Sequence, residues 1–185
     1  MMLWFLSRTN WAASSLNSAL NVFLVVDLMC SPKVIYEVII SPLFRWPKLV
    51  CHYSATTRAA LPECQPNPPV GCVLVLGGQV IAEGFTQKIG GNHAEVEAIS
   101  AYDGPMEEVT AYVTLEPCSF VGRTPACSSV IIKSGIKRVV VAILDPDERN
   151  NGKGLYALEK EGIKVDIGIA SREVSEFLYP YLGKS

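Results

Sequence analysis

From residue 70 onward the apolar positions fall into short runs whose period alternates between strand-like and helix-like. Residues 70–76 are a valine-rich run, Gly77-Gly78 is a tight turn and 79–85 is a second run, which together predict a β-hairpin lying as an edge pair. Asn92 stands where it would cap a helix over 93–102, with Val96, Ala98 and Ile99 on the buried side. Residues 110–115 read as the next strand. Thr124 then caps a helix whose first position holds Pro125, where a missing N–H costs nothing, and which runs to about Ser134 with Gly135 as its C-cap. A strand over 137–144, a helix over 154–161 ended by Gly162, a strand over 163–169 and a helix over 171–179 complete the order. Such alternation implies right-handed crossovers and parallel pairing. The expected fold is α/β, a three-layer α/β/α sandwich with a mixed five-stranded sheet.

Upstream of the hairpin, a helix is expected around 52–61, followed by a turn over 63–69 that contains three prolines. Pro42 and Pro47 interrupt any regular element before it and place a boundary near residue 50. The expected organisation is therefore an N-terminal extension over 1–50 and a compact domain over 51–185. Apolar runs in the extension are broken by Arg8, Asn10, Asn17, Asn21 and Asp27, and none reaches the ~20 residues a membrane-spanning helix needs. No clean small-residue cleavage site follows them either. The alternatives for this segment are a helix packed on the domain, a poorly ordered leader, or a later start at Met29; no membrane partner is expected.

A chain of 185 residues with 49% hydrophobic content can bury one substantial core. Its 16 basic and 18 acidic residues give a net charge of −2 without runs of one sign, so a nucleic-acid partner is not expected. Six cysteines, Cys30, Cys51, Cys64, Cys72, Cys118 and Cys127, would be needless as disulfides in a chain with this much core. They read as reduced thiols in a cytoplasmic protein, with Cys72 a small buried strand residue.

Three of the remaining features carry chemistry. His93-Ala94-Glu95 is followed by Pro117-Cys118 and, eight intervening residues later, by Cys127. One imidazole, two thiols and a carboxylate two residues from the imidazole form the arrangement by which nucleobase deaminases set a zinc-activated water on an amidine carbon. Three protein ligands, His93, Cys118 and Cys127, leave a fourth zinc position open, which is the catalytic form of such a site. Helix starts at His93 and near Cys127 would favour the thiolate that a metal requires. Glu95 is then the proton carrier, most effective if burial raises its pKa. A surface or core histidine at 93, and a Cys118–Cys127 disulfide, are the plainer alternatives.

The long form Pro117-Cys118-Ser119-Phe120-Val121-Gly122-Arg123-Thr124-Pro125-Ala126-Cys127 resembles the deaminase domain of the bifunctional riboflavin-biosynthesis enzyme, of the cytidine deaminase-like superfamily. The likeness extends to residues 67–72, 91–98 and 112–116 and covers about 52–170. It implies zinc-dependent hydrolytic deamination of 2,5-diamino-6-ribosylamino-4(3H)-pyrimidinone 5′-phosphate, with the ion held by His93, Cys118 and Cys127. It also implies that Asn67 hydrogen-bonds the pyrimidine and Arg123 holds the phosphate, where the alternatives are a turn-capping asparagine and a solvated arginine. Association into a homo-oligomer is a further expectation of the resemblance.

Two stretches depart from that pattern. Phe120 stands where the family usually has histidine, and residues 147–154 replace an Asn-Pro and a more apolar segment. Phe120 and Asp145 are therefore candidate substrate contacts that open the site to another small aminated heterocycle. With the chain ending at Ser185, no reductase domain is expected within it, and a separate reductase would complete the pathway.

Overall fold

The computed structural model describes residues 52 and 54–183. The extension expected over 1–50, the boundary near residue 50, and Cys30 and Cys51 lie outside the described residues.

Residues 54–59 are helical (α1) and end in turns through residue 66. The hairpin follows as β1 (Gly71–Leu76) and β2 (Gln79–Phe85), joined by Gly77 and Gly78 at φ +55° and +79°. Positive φ at both turn residues suits the right-handed twist of the flanking strands and is available to glycine without steric cost. Helix α2 (Ala94–Ser100), β3 (Thr110–Leu115), α3 (Cys127–Ser134), β4 (Arg138–Ile143), α4 (Lys153–Lys160), β5 (Lys164–Ile167) and α5 (Ser171–Leu178) complete the order. A 3₁₀ turn over Tyr179–Tyr181 follows.

The sheet order is β2-β1-β3-β4-β5. β1 runs antiparallel to both β2 and β3, whereas β3, β4 and β5 are parallel. This is the expected mixed five-stranded sheet, with the hairpin at one edge. α2 packs on β1 and β2, α3 on α2 and α4 on α3, forming one helical layer. α5 packs against β4, and Arg58 of α1 lies over the ring of Phe177 in α5, 5.8 Å from its centroid. Val73, Leu74, Val113, Val139, Val141, Ile131 and Leu158 are fully buried between these layers. Burial of such side chains stabilises the fold by about 1.5–3 kcal/mol each before the conformational entropy that ordering them costs.

Three helix starts differ from the expectation. Asn92 does not cap α2; its side-chain amide donates to Glu97 Oε1 at 2.8 Å, and extended His93 is the N-cap. The most buried side of α2 is Ala94, Glu95 and Ala98, while Val96 and Ile99 are half-buried. Thr124 does not cap α3 either. Its carbonyl accepts the Gly122 N–H in a tight turn, Ala126 is the N-cap, and α3 begins at Cys127. Gly135 closes α3 in the left-handed conformation as expected. α4 starts one residue early, at Lys153, behind left-handed Gly152.

Candidate metal centre

The N-cap position of α2 turns the His93 ring toward the start of α3. Nδ1 of His93 lies 3.7 Å from Sγ of Cys118 and 3.2 Å from Sγ of Cys127. The three donor atoms all lie within 4.8 Å of one another. Tetrahedral zinc, with Zn–S near 2.3 Å and Zn–N near 2.0 Å, would separate such donors by about 3.5–3.8 Å, so one nitrogen and two sulfurs at these spacings fit that ion. Cysteine and imidazole are also the donor types zinc prefers. All four cysteines among the described residues are free thiols, so Cys118 and Cys127 are not joined as a disulfide.

Cys118 does more than offer a sulfur. The Cys127 N–H donates to Cys118 Sγ at 3.2 Å and the Ser128 N–H to the Cys118 carbonyl at 3.1 Å, so Cys118 satisfies two of the amides at the start of α3. That is why the helix begins at Cys127 rather than at Pro125. The side-chain hydrogen bond from Cys127, with help from His93 and the Cys127 amide, brings the Cys118 thiol down to about 4. Cys127 itself, facing that sulfur from a buried position, is raised, so the expected lowering at a helix start falls on the residue capping the helix.

Glu95 is one residue into α2 and only 3% exposed. Burial, reinforced by the nearby Cys118 sulfur, pushes its carboxyl up to about 6. A carboxyl near neutrality can both take and return a proton at physiological pH. Glu95, His93 and Cys118 line a cavity of about 750 Å³, and Asn67, Phe120, Arg123 and Asp145 line the same cavity. All of the residues singled out in the sequence thus converge on one pocket, with Cys127 behind it.

Their surroundings differ. Asn67 closes its turn with its backbone, whose N–H donates to the Cys64 carbonyl at 2.9 Å, and its side-chain amide makes no hydrogen bond among the described residues. It is not a turn cap. Arg123 is exposed and likewise unpaired among them. Asp145 is committed locally: its carboxyl accepts from the Asp147 N–H at 3.0 Å and from Asn150 Nδ2 at 3.4 Å, and burial raises its pKa.

Two residues that the sequence reading passed over build the wall behind this pocket. Glu116, 3% exposed, accepts from the amides of Gly152 and Gly154 at 2.9 Å and from that of Asp145 at 3.2 Å. Asn150, fully buried, accepts from the Ser119 N–H at 2.9 Å and directs its own amide at the carbonyls of Glu116 and Pro117. Together they lock residues 116–119 to 145–154. A polar residue amid a glycine-rich loop reads as solvated, and only the long-range contacts reveal otherwise.

Residues 48–143 match the family described as the cytidine and deoxycytidylate deaminase zinc-binding region, a stretch that contains His93, Glu95, Cys118 and Cys127. The chain belongs to this deaminase family. Within it, the diaminohydroxyphosphoribosylamino-pyrimidine deaminase of Buchnera aphidicola (subsp. Schizaphis graminum) is 46% identical over 112 residues, covering 60% of this chain and 76% of that one. The riboflavin biosynthesis protein RibD of Aquifex aeolicus is 47% identical over 120 residues, 63% of this chain but 34% of its own length. Among solved structures, Acinetobacter baumannii RibD (form 2) superposes with a TM-score of 0.71 at 39% identity, covering 77% of this chain and 40% of that chain. The chain thus spans roughly the deaminase third of RibD relatives and most of the length of the Buchnera deaminase. Zinc is the cofactor of this deaminase family, and His93, Cys118 and Cys127 are the donors that fit it.

Proposed function

We propose that this deaminase removes an amino group hydrolytically from 2,5-diamino-6-ribosylamino-4(3H)-pyrimidinone 5′-phosphate in riboflavin biosynthesis. The observation that supports this most is the 46% identity with a pyrimidine deaminase of which this chain covers 76%. Bound zinc supplies Lewis-acid activation of a water. Glu95 accepts a proton from the attacking water and delivers it to the ring nitrogen, then takes the second proton from the hydroxyl now on the carbon and passes it to the departing amine. Water's oxygen becomes the ring carbonyl and the amine leaves as ammonia, so the step balances without any redox partner. The free side-chain amide of Asn67 can donate to and accept from the pyrimidine edge, and Arg123 offers a cation to the phosphate.

The substrate is a small molecule. A cytoplasmic setting with reduced thiols, association of copies of the chain, and a reductase acting next in the pathway belong to the same proposal. No helix among the described residues is long and apolar enough to cross a membrane. A second reading, deamination of another small aminated heterocycle, is favoured by Phe120 at the cavity wall. Ammonia release from the riboflavin intermediate, compared with cytidine, dCMP and guanine, separates the two. Turnover of the first alone supports the proposal, and turnover of another in its place overturns it.

A further inference from the structure

Two side chains from separate loops, Phe120 and Arg149, meet at the cavity wall. The guanidinium carbon of Arg149 lies 4.6 Å from the centroid of the Phe120 ring. On its other side Arg149 is held by Asp147: Nε donates to Oδ1 and Oδ2 at 3.0 Å, Nη2 donates to Oδ2, and the Arg149 amide donates to Oδ1 at 2.9 Å. Nη1 makes no hydrogen bond among the described residues, and the side chain is 57% exposed. A ring, a carboxylate and a backbone bond thus fix the plane of a cation that lines the cavity.

An ion pair this exposed contributes little to stability, so holding the fold is a weak explanation for so many restraints. Charge at the rim offers a stronger one. Asp145, Asp147 and Glu148 all line this side of the cavity, and Arg149 is the cation that faces it from the same stretch. Lys153 turns away to the Glu148 carbonyl, 2.9 Å from its Nζ. Without Arg149, three carboxylates would confront an arriving phosphate dianion and oppose its binding by like-charge repulsion. With it, Asp147 is neutralised and a pre-oriented N–H remains for the anion, where little side-chain entropy is left to lose.

We propose that Arg149, seated on Phe120 and steered by Asp147, is the second phosphate-binding cation of this site beside Arg123, which lines the same cavity. Phe120 and Asp147 are positioning residues. The inference rests on the proposed reaction and names how the phosphate of that substrate is recognised.

The test uses the full zinc-loaded chain with the phosphorylated aminopyrimidine riboside and its phosphatase-treated form. The quantity read is the kcat/KM preference for the phosphorylated substrate, split into KM and kcat. Arg149→Met is expected to cut that preference by about 10–100-fold through KM, the range of a charge-assisted hydrogen bond. Phe120→Leu should cut it in part and Phe120→Tyr should keep it, because only the latter preserves the platform. Lys160→Met, an exposed α4 cation outside the cavity lining, serves as the control. Should Arg149→Met bind less zinc than the wild type, Arg149→Lys, which keeps the charge without the planar fork, replaces it, with a smaller loss expected. An unchanged preference in the arginine variant, or none in the wild type, overturns the inference while leaving the deaminase reading intact. Release of ammonia from neither form would sink the proposed reaction itself, and this inference with it.

Discussion

Asn150 accepts a hydrogen bond from the backbone N–H of Ser119 at 2.9 Å, joining the residue after a candidate zinc ligand to a loop 31 positions further along the chain. The bond is part-buried and Asn150 itself is fully buried, so removing its side chain would leave a hole in the core and take from the Ser119 amide its partner. Asn150→Ala is expected to destabilise the protein by about 1–3 kcal/mol, read as the shift of the denaturant midpoint at constant slope. It should also lower zinc affinity, because Cys118 loses its anchor. A wild-type midpoint would show that Asn150 is not a tie.

Glu116 makes the companion tie. Three amides converge on its buried carboxylate, from Asp145, Gly152 and Gly154. Glu116→Gln presents an NH₂ group to donors and is expected to cost about 1.5–3 kcal/mol, and more if the loop over 145–154 separates from β3. Thermal unfolding of the two proteins side by side checks this. Equal midpoints would mean that the loop holds without the charge.

A glycine positions the helix that carries His93 and Glu95. Any Cβ at Gly84 would run into the Ala94 carbonyl oxygen and the Ala98 amide of α2. Gly84→Ala is therefore expected to push α2 off β2, lowering both stability and zinc content, although alanine suits a strand at least as well as glycine. Zinc measured per folded chain gives the answer. Full occupancy would show that α2 tolerates the displacement.

Much of this was legible in advance because the sheet follows from its apolar runs, and the tight turn from Gly77-Gly78. The chemistry was legible because His93, Glu95, Cys118 and Cys127 occur at a spacing that few other roles require. Helix starts were not, since Asn92 and Thr124 are good caps by composition, and the chain instead uses His93 and the sulfur and carbonyl of Cys118. Glu116 and Asn150 were missed for the same reason: their partners lie 29–38 positions away, beyond any local pattern. The pairing of Phe120 with Arg149 likewise joins two residues that look unrelated along the chain.

Removal of one donor tests the metal centre. Cys127→Ser replaces a thiol with a poor zinc ligand and is expected to leave the purified protein well below one zinc per chain, with a lower melting temperature. For the wild type, zinc at about 100 times its Kd should stabilise the fold by about 2.7 kcal/mol relative to chelated protein. A chelator that leaves the melting temperature unchanged would argue against a site linked to folding.

Glu95→Gln is the most direct test of the central claim, that Glu95 carries protons for a zinc-dependent hydrolysis in this cavity. The substitution keeps the size of the side chain and leaves His93, Cys118 and Cys127 in place. Zinc per chain and ammonia release are measured on the same preparation. Zinc content is expected to stay at the wild-type level while the rate on the pyrimidine nucleotide falls by about 10²–10⁴-fold. An unchanged rate at full zinc occupancy would contradict the account.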